Sequence, residues 1–407
     1  MSNTLSRSER EGKTPFNELP FYKQINWVHA VLLLGEPFIS LYAILYVPLT
    51  RPTLIWAIIW YYATGIGITG GYHRLFAHRA YKAPFITRLY YALTGAGAVE
   101  GSILWWSKDH RVHHRYTDTM KDPYSAQRGL WWSHLGWMIF KKDRDLIGNA
   151  EVDDLEADPI IMWQHKNFLW IAIFMSLVFP TLVASLWGDA FGGYFYAGVI
   201  RMMFVHHATF CVNSLAHWLG ESTFDDKHTP RDHIITALVT MGEGYHNFHH
   251  QFPQDYRNAI KFWQYDPTKW FITILSFFGL AYDLKVFPEN EVRKGVINMK
   301  QKKLDDEKKT INWGTPLDEL PLYSMEEFLN EVKVNSKQWI IVDDVIHDVT
   351  DFFDEHPGGR KYLKLGVGRD ATEMFHGKVY DHSNAANNLL SQMRVGRLET
   401  PNKHHHD

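Results

Sequence analysis

The sequence predicts a mainly α-helical protein that crosses a membrane four times and carries a compact soluble segment near its C-terminal end. Three observations lead to this prediction. Four apolar stretches, each near the ~20 residues that span a bilayer, lie between about residues 25 and 216. Histidines gather in three short clusters beside those stretches, and the chain becomes charged after about residue 285. The histidine clusters indicate a polynuclear metal site at a membrane surface.

Composition limits the classes of protein that the chain can represent. Its 407 residues suffice for two or three domains, and a net charge of −3 gives no indication of nucleic-acid binding. The single cysteine, Cys211, excludes a disulfide framework and a cysteine-based zinc site, and it is compatible with a reducing cytosol. Residues 1–24 are polar and charged, so we expect a cytosolic N-terminal tail without a cleaved signal.

The four apolar stretches form two predicted helical hairpins, whose short loops contain one basic residue between them, Arg51. Because cytosolic segments carry the excess of Lys and Arg, we expect both termini and all three histidine clusters on the cytosolic side. Residues 84–104 have fewer apolar side chains and contain Arg88, which predicts an amphipathic or partly buried helix lying at the surface. The expected membrane segments are about 25–47, 53–71, 168–187 and 193–216.

The three histidine clusters have spacings that suit metal binding. The first is His73-Arg-Leu-Phe-Ala-His78, whose five-residue spacing fits the end of a membrane helix better than one α-helical face. The second and third share the pattern His-x-x-His-His, which predicts three imidazoles directed from one helix towards one spot. Neutral imidazole suits iron, copper, nickel and zinc. The members of these two clusters are His110, His113, His114, His246, His249 and His250.

Further polar residues lie in the fourth apolar stretch. Asn213 and His217 are four residues apart at its cytosolic end, where polar side chains are costly and usually functional. His217 is therefore a ninth candidate ligand, and Asn213 is expected to reach a metal directly or through water. His206 and His207 lie about two turns deeper and are interpreted as hydrogen-bonded residues without a metal role. The remaining histidines of interest are expected at the surface or supporting the ligands: His134, His165, His228 and His233.

Over about residues 20–285 these motifs resemble the membrane acyl-CoA Δ9 desaturases, the stearoyl-CoA desaturase family. Beside the first cluster, the resemblance is carried by Asp109-His110-Arg-Val-His113-His114-Arg115-Tyr-Thr-Asp118, Asn213-Ser-Leu-Ala-His217 and Gly242-Glu-Gly-Tyr-His246-Asn-Phe-His249-His250. It implies four transmembrane helices, a cytosolic helical cap and a di-iron centre. The implied ligands are His73, His78, His110, His113, His114, His217, His246, His249 and His250, with Asn213 acting through a water.

The same resemblance implies how a substrate binds. Lysines at a cytosolic rim suit phosphates, and the alternative for Lys141 and Lys142 is an ordinary basic membrane surface. Tyr61, on the second membrane helix, is expected to help close the far end of an acyl tunnel and to set the chain length. The implied coenzyme A positions are Lys108, Asp109, Lys141 and Lys142, and the aromatic residues along the tunnel are Trp105, Trp106 and Phe210. Animal members of the family carry Arg in place of Lys108 and Trp in place of Phe210.

The C-terminal part of the chain has a different character. Residues 286–315 form a charge run without apolar periodicity, which predicts a solvated linker or an exposed helix. A compact segment follows at 316–399 and contains a strand-like alternation at 339–350. Residues 400–407 are expected to be a tail.

Two motifs in the compact segment, His356-Pro-Gly-Gly359 and His382-Ser383, resemble those of cytochrome b5. The resemblance implies a small α+β domain that binds haem b, with His356 and His382 as axial ligands. His376 is the competing candidate for the second ligand. A haem with two axial histidines has no open coordination position, so it transfers electrons and does not bind oxygen.

Together the two resemblances imply a Δ9 desaturase of the fungal type, which inserts a cis double bond into palmitoyl- or stearoyl-CoA. The implied cofactors are two iron ions and haem b. Electrons would come from NADH-cytochrome b5 reductase, with O2 as oxidant, at the endoplasmic reticulum membrane. Front-end desaturases carry the haem domain at the N-terminus and Gln in place of the first histidine of the third cluster. Here that residue is His246, and the haem motifs are C-terminal.

Three other functions remain open from the sequence. A membrane di-iron fatty-acid hydroxylase or sterol oxidase would use most of the same histidines and release a hydroxylated product. A non-catalytic haem electron carrier would need only His356 and His382, and it leaves the nine other histidines unexplained. A zinc transporter would require acidic or histidine residues deep in several membrane helices, where the sequence offers only His206 and His207.

Overall fold

The computed structural model of the protein describes residues 16–143 and 146–399. Most of the predicted tail at 1–24, and all of the tail at 400–407, lies outside these residues. The chain divides into two compact units, Met1–Gln301 and Lys302–Asp407. The division falls inside the linker expected at 286–315, whose own boundaries, like those of the other expected domains, stay predictions.

The first unit is helical, in agreement with the predicted fold class. Its main helices are α1 (Trp27–Tyr46), α2 (Arg51–Ala77), α3 (Phe85–Ala96), α4 (Ile103–Tyr116), α5 (Pro159–Ser185), α6 (Ala190–His217), α7 (Ile234–Val239), α8 (His246–Gln251) and α9 (Pro267–Phe277). A tenth helix, α10 (Glu289–Lys309), contains the division between the units and is mostly exposed. Short helical turns occur at Phe21–Gln24, Trp132–Gly136, Trp137–Ile139 and Asp153–Glu156.

Four of these helices, α1, α2, α5 and α6, are long and apolar enough to cross a membrane, which confirms the four predicted spans. Three of them, α2, α5 and α6, are longer than expected, and the difference is largest in α2 and α5. Helix α2 continues past Gly71 to Ala77, and α5 begins at Pro159, where Asp158 caps the first turn by accepting from two backbone N–H groups. These additional turns carry polar side chains that the protein itself buries, so apolar composition alone did not include them.

The last part of α2, Gly67–Ala77, is π-helical. In this geometry each backbone N–H bonds to the carbonyl five residues earlier, and His78 N–H donates to the His73 carbonyl oxygen at 3.0 Å. Glycines allow α3 to approach this segment closely. A Cβ added to Gly67 would lie 2.4 Å from the backbone nitrogen of Gly95, so only glycine fits there.

The stretch 84–104, predicted as one amphipathic helix, is two elements. Helix α3 buries Tyr91 and Ala92 and exposes Phe85 and Ile86, as an amphipathic helix should. The helix then stops, and a turn with positive φ at Val99 and Gly101 redirects the chain. Ser102 caps the start of α4 by accepting from the Trp105 N–H. The turn directs α4, with its three histidines, against the π-helical end of α2.

The second unit is a small α+β domain. Its strands are β1 (Leu322–Tyr323), β2 (Trp339–Val342), β3 (Val345–Asp348) and β4 (Arg394–Leu398), in the sheet order β1-β4-β3-β2. The sheet packs against the helices α11 (Met325–Lys333), α12 (Arg360–Gly366), α13 (Thr372–Phe375) and α14 (Asn384–Gln392). The predicted strand at 339–350 is a hairpin, whose two turn residues, Asp343 and Asp344, both have positive φ. Strands β1 and β4 are parallel neighbours.

Candidate metal centre

Nine histidines of the first unit lie in two adjacent groups. Within each group the ring nitrogens are within 4.8 Å of one another. All nine side chains are buried except those of His114 and His250, which are half-buried. The five-histidine cluster contains His73, His78, His110, His114 and His249, and the four-histidine cluster contains His113, His217, His246 and His250. These are the nine histidines selected from the sequence, and their role as ligands stays a prediction.

The expectation that each His-x-x-His-His motif directs three imidazoles to one spot is wrong. Helix α4 sends His110 and His114 to the five-histidine cluster and His113 to the four-histidine cluster. Helix α8 divides its histidines in the same way, with the i, i+4 pair in one cluster and the intervening histidine in the other. Consecutive α-helical residues point about 100° apart, so neighbouring histidines cannot reach one ion. Each motif therefore bridges the two clusters.

The distances between ring nitrogens fit metal ligation. In the five-histidine cluster the Nε2–Nε2 distances are 2.8 Å for His78–His110, 3.0 Å for His73–His249 and 2.9 Å for His114–His249. In the four-histidine cluster they are 3.1–3.2 Å. Two imidazoles bound at right angles to one ion, each at about 2.1 Å, would have nitrogens ~3.0 Å apart.

Hydrogen bonds among the imidazoles cannot account for this arrangement. His249 Nε2 lies close to the Nε2 atoms of both His73 and His114, and His246 and His250 are placed similarly. A ring nitrogen carries either one proton or one lone pair, so it cannot satisfy two such neighbours. A cation at the centre of each cluster would satisfy all of them. The donor set therefore fits two metal ions.

The surroundings keep six of these imidazoles neutral, as ligands must be. Burial lowers the pKa of the cluster histidines outside the membrane helices well below the ordinary value, and repulsion from neighbouring imidazoles lowers it further. This holds for His78, His110, His114, His246, His249 and His250.

Three carboxylates that were not selected from the sequence interact with the second ring nitrogen of a cluster histidine. Two of them bond it directly, and the third acts through a hydroxyl group. Glu243 accepts from His73 Nδ1 at 3.1 Å, and Asp122 accepts from His113 Nδ1 at 2.9 Å. His217 Nδ1 bonds to the Thr229 hydroxyl at 2.8 Å, and that hydroxyl donates to Asp118. Glu243 and Asp118 stand inside the quoted motifs, so their nearness to ligand histidines was the available signal.

Glu243 is ionised because of a buried ion pair. Burial alone would raise its pKa, but the Arg74 guanidinium and His73 lower the pKa of Glu243 to about 2. Arg74 Nη2 lies 2.8 Å from Glu243 and 3.0 Å from Asp266, and all three side chains are fully buried. An anionic carboxylate on Nδ1 fixes the tautomer of His73 that presents the Nε2 lone pair.

A cavity of about 1110 Å³ passes beside the five-histidine cluster. Its walls are mostly apolar and include His73 and His110, together with residues of α1, α2, α5 and α6. Its polar lining residues include Lys141, Lys142 and Asp109, the last two of which form an ion pair. Its apolar side chains include Leu32, Leu33, Ile68, Trp105, Trp106, Phe168, Val205 and Phe210. Such a cavity suits a long apolar ligand with a polar end.

Four of the five predicted substrate-binding residues line this cavity, and one does not. Lys142 pairs with Asp109, and Lys141 Nζ donates to the Lys23 carbonyl oxygen at 2.9 Å. Phe210 is buried in the wall. Lys108, on the other hand, is exposed and is not among the lining residues. Contact of these residues with a substrate stays a prediction.

Glu100 is a buried carboxyl group of the cavity wall that was not selected from the sequence. It accepts hydrogen bonds from the Thr209 hydroxyl at 2.7 Å and from the Trp106 indole N–H at 3.2 Å. Burial raises the pKa of Glu100 to about 7, although these two bonds oppose the rise. The Trp106 ring stacks on His110 at 4.9 Å, so Glu100 helps to fix the wall next to the cluster.

The polar residues outside the clusters have identifiable partners. His206 Nδ1 lies 3.0 Å from Glu36 of α1, and His207 bonds to His134, which agrees with their interpretation as hydrogen-bonded residues. Asn213 lies at the end of α6 and lines the cavity, and its role near a metal stays a prediction. Three further histidines contact polar side chains: His165 meets Ser102, His228 meets Asp118 and His233 meets Thr236.

The second unit brings His356 and His382 together. Their ring centroids are 6.3 Å apart, which leaves room for one metal ion bonded to both rings at about 2 Å. His382 Nδ1 lies 2.9 Å from the Phe375 carbonyl oxygen, so Nε2 is the free ring nitrogen. His376 instead pairs with Asp343 at 2.8 Å. A Cβ on Gly358 would lie 2.9 Å from the His356 ring, which explains the glycine.

Comparisons with known proteins agree with both sites. Residues 51–281 match the family model "Fatty acid desaturase", and residues 324–399 match "Cytochrome b5-like Heme/Steroid binding domain". The chain is 53% identical to the "Probable acyl-CoA desaturase" of Schizosaccharomyces pombe over 94% of this chain and 79% of that protein. It is 46% identical to "Acyl-CoA desaturase 1" of Saccharomyces cerevisiae over 97% and 78%, and 34% identical to human "Stearoyl-CoA desaturase" over 68% and 77%.

Proposed function

The chain belongs to the fatty acid desaturase family, and from this premise we propose that it is an acyl-CoA Δ9 desaturase with its own cytochrome b5-like domain. It inserts a cis double bond into saturated fatty acyl-CoA in unsaturated fatty acid biosynthesis. The observation that carries the proposal is the presence of His73 and His110 in the wall of a long apolar cavity. An acyl chain in this cavity passes directly beside the five-histidine cluster.

The nine imidazoles suit two iron ions. Desaturation removes one hydrogen atom from each of two adjacent methylene groups and reduces O2 to two waters, with two electrons and two protons consumed. Iron bound by these histidines would supply the oxidising power that an unactivated C–H bond requires. Zinc would suit the same nitrogens but has no redox chemistry.

The side chains of the cavity provide binding, orientation and exclusion of water. Lys141 and Lys142 offer positive charge to the phosphates of coenzyme A. The apolar walls hold the acyl chain and keep water away from it. Trp106, stacked on His110 and bonded to Glu100, fixes the wall where the chain passes the cluster. The carboxylates of Glu243 and Asp122 keep their imidazoles in the tautomer that presents Nε2.

The second unit supplies electrons. We propose that His356 and His382 hold haem b, which would supply electrons to the desaturase unit, with NADH-cytochrome b5 reductase as the external donor. Fusion of the haem domain raises its effective concentration at the desaturase unit. The excess of Lys and Arg outside the short hairpin loops supports cytosolic termini, and acyl-CoA chemistry facing the cytosol together with the unpaired Cys211 supports a location in the endoplasmic reticulum membrane.

The test is product analysis in a host that lacks its own Δ9 desaturase. Lipids are extracted, and double bonds are located by mass spectrometry for the wild type, His246→Ala, His356→Ala and the control His233→Ala. We expect cis Δ9 bonds in C16 and C18 chains, absent with His246→Ala, absent or reduced with His356→Ala, and retained with the control. A hydroxylated product would assign the protein to the di-iron hydroxylases. Unchanged lipids with intact haem absorbance would leave only an electron carrier.

A further inference from the structure

The two histidine clusters differ in the charge that supports them. Among the residues that the structure describes, Glu243 is the one carboxylate bonded to an imidazole of the five-histidine cluster. Arg74 bonds both Glu243 and Asp266, and the buried ammonium of Lys269 interacts electrostatically with Asp266. The two carboxylates and two cations sum to zero formal charge. The negative charge of the carboxylate that bonds His73 is therefore neutralised by these cations.

The four-histidine cluster has the opposite character. Asp122 bonds His113 and otherwise accepts only from the backbone N–H groups of Asp118 and Tyr124, each at 3.2 Å. Within the described part of the chain, no Lys or Arg nitrogen lies within 4.0 Å of Asp122. Its negative charge is thus directed to His113 without a competing side-chain cation.

A second carboxylate supports the same cluster through a hydroxyl group. Asp118 accepts from the Thr229 backbone N–H and from the Thr229 hydroxyl, both at 2.6 Å. Because that hydroxyl donates its proton to Asp118, it accepts from Nδ1–H of His217. This direction of donation places the proton of His217 on Nδ1 and leaves the Nε2 lone pair available to a metal ion. The half-exposed His228, 3.6 Å from Asp118, and Arg231, which bonds backbone carbonyls, are the nearby cationic groups.

We propose that Asp122, and Asp118 acting through Thr229, are positioning residues that make the four-histidine cluster a tight site for a divalent transition metal despite its smaller ligand number. A carboxylate on Nδ1 makes an imidazole a stronger donor at Nε2, and this effect is largest where no cation neutralises the carboxylate. His113 has this uncompensated support directly, and His217 is supported by Asp118 through the Thr229 hydroxyl, with the exposed His228 as the one nearby ion-pair partner of Asp118 among the described residues. In the five-histidine cluster one imidazole has a carboxylate partner, and Arg74 shares it. The inference rests on the proposed metal centre and deepens it.

The test is a titration of the full-length, metal-depleted holo-haem protein with Co²⁺, whose visible bands report each binding step. His217→Ala identifies the step that belongs to the four-histidine cluster. We expect Asp122→Asn to weaken that step by about 10- to 100-fold and to leave the other step unchanged. Glu243→Gln should weaken the other step, and by a smaller factor.

Thr229 provides variants that preserve charge and size. Thr229→Val removes the hydroxyl that joins His217 to Asp118 and should weaken the same step, whereas Thr229→Ser retains the hydroxyl and should restore it. Asp154→Asn is the matched control, because Asp154 bonds Arg111 of α4 and contacts none of the nine imidazoles. Haem absorbance and a single elution peak verify folding.

The outcomes separate this inference from the proposed function. If the wild type binds no Co²⁺ at either cluster, the proposed metal centre is wrong. If it binds two ions, but Asp122→Asn and Thr229→Val leave both steps unchanged or weaken them equally, the positioning role is overturned while the metal centre stands. Failure of Thr229→Ser to restore the step would also contradict the hydroxyl relay.

Discussion

His78 lies one π-helical turn after His73, with its backbone N–H 3.0 Å from the His73 carbonyl oxygen. The five-residue spacing that is unfavourable in an α-helix therefore places both imidazoles in one cluster at the end of a membrane helix. Both rings also meet His249 of α8, with centroids 4.4 Å and 4.7 Å away. This turn is what brings the first and third motifs together.

Replacing His78 by Ala should therefore empty the five-histidine cluster while leaving the haem domain intact. The measurement is iron content relative to haem. We expect three irons per haem in the wild type, two in the clusters plus one in haem, and about two in His78→Ala. His134→Ala, whose histidine bonds Ser214 and His207, should retain the wild-type ratio. An unchanged ratio in His78→Ala would contradict the assignment.

The haem domain offers a direct choice between two histidines. His382 faces His356, whereas His376 pairs with Asp343 at the surface. His382→Ala should abolish the absorbance of a six-coordinate haem, and His376→Ala should leave it unchanged. The visible spectrum of the two purified variants checks this. Loss of the spectrum in His376→Ala alone would reverse the assignment.

Lys142 and Lys108 should differ in their effect on substrate binding. Lys142 lines the cavity, whereas Lys108 is exposed and is not among the lining residues. Loss of a charge-assisted contact worth about 1.5 kcal/mol should raise the KM of Lys142→Ala for acyl-CoA roughly tenfold. The kcat and the bond position should stay the same, and Lys108→Ala should resemble the wild type. Steady-state kinetics at two salt concentrations are the measurement, and equal KM values for both variants would refute the prediction.

Tyr61 is predicted to influence chain length. Its side chain is half-buried against the core of the first unit, one turn before Gly65, which lines the cavity. Tyr61→Ala should enlarge the space next to Gly65 and shift the products towards longer chains. Ile59→Ala, on the exposed side of α2, is the control. An unchanged ratio of C16 to C18 or longer products would show that Tyr61 does not close the cavity.

Acid should destabilise the haem domain through His347. This residue is buried in β3, and burial lowers its pKa to about 4, although its hydrogen bond to the Leu390 carbonyl opposes the shift. Between pH 6.5 and 4 the unfolded chain binds a proton that the folded one does not, so stability is lost as pH falls. The loss is about 2 kcal/mol from pH 7 to pH 5.

The measurement is the urea midpoint for loss of haem absorbance at these two pH values. In His347→Gln the difference between the midpoints should become smaller, because the group that takes up the proton is gone. If the variant and the wild type lose stability equally, other groups cause the acid sensitivity.

The sequence predicted the four membrane helices and the nine clustered histidines, because apolar length and histidine spacing are local signals. It did not predict how the histidines divide between clusters. His110 meets His78 and His249, and His113 meets His217 and His250, through contacts that depend on tertiary packing.

The residues behind the ligands were missed for a related reason. Glu243 is three residues before His246 in the chain, yet it bonds His73 of another helix. Asp122 follows α4 in a turn, and nothing in its own sequence distinguishes it from a surface carboxylate. Glu100 was missed because a lone carboxyl group in an apolar stretch has no pattern, and only folding places it against Thr209 and Trp106.

The pairing of β1 with β4 has a consequence for where the haem domain can be attached to another protein. These strands contain the first and last segments of the haem domain, so its two ends lie on neighbouring strands, separated only by the length of a two-residue pairing. A domain with adjacent ends can be joined to another protein by either end, or inserted in a surface loop, without rearranging its own chain. The fold of this domain therefore does not require attachment at the C-terminal side of the desaturase unit, and we expect residues 316–399 to keep their fold when joined at another position.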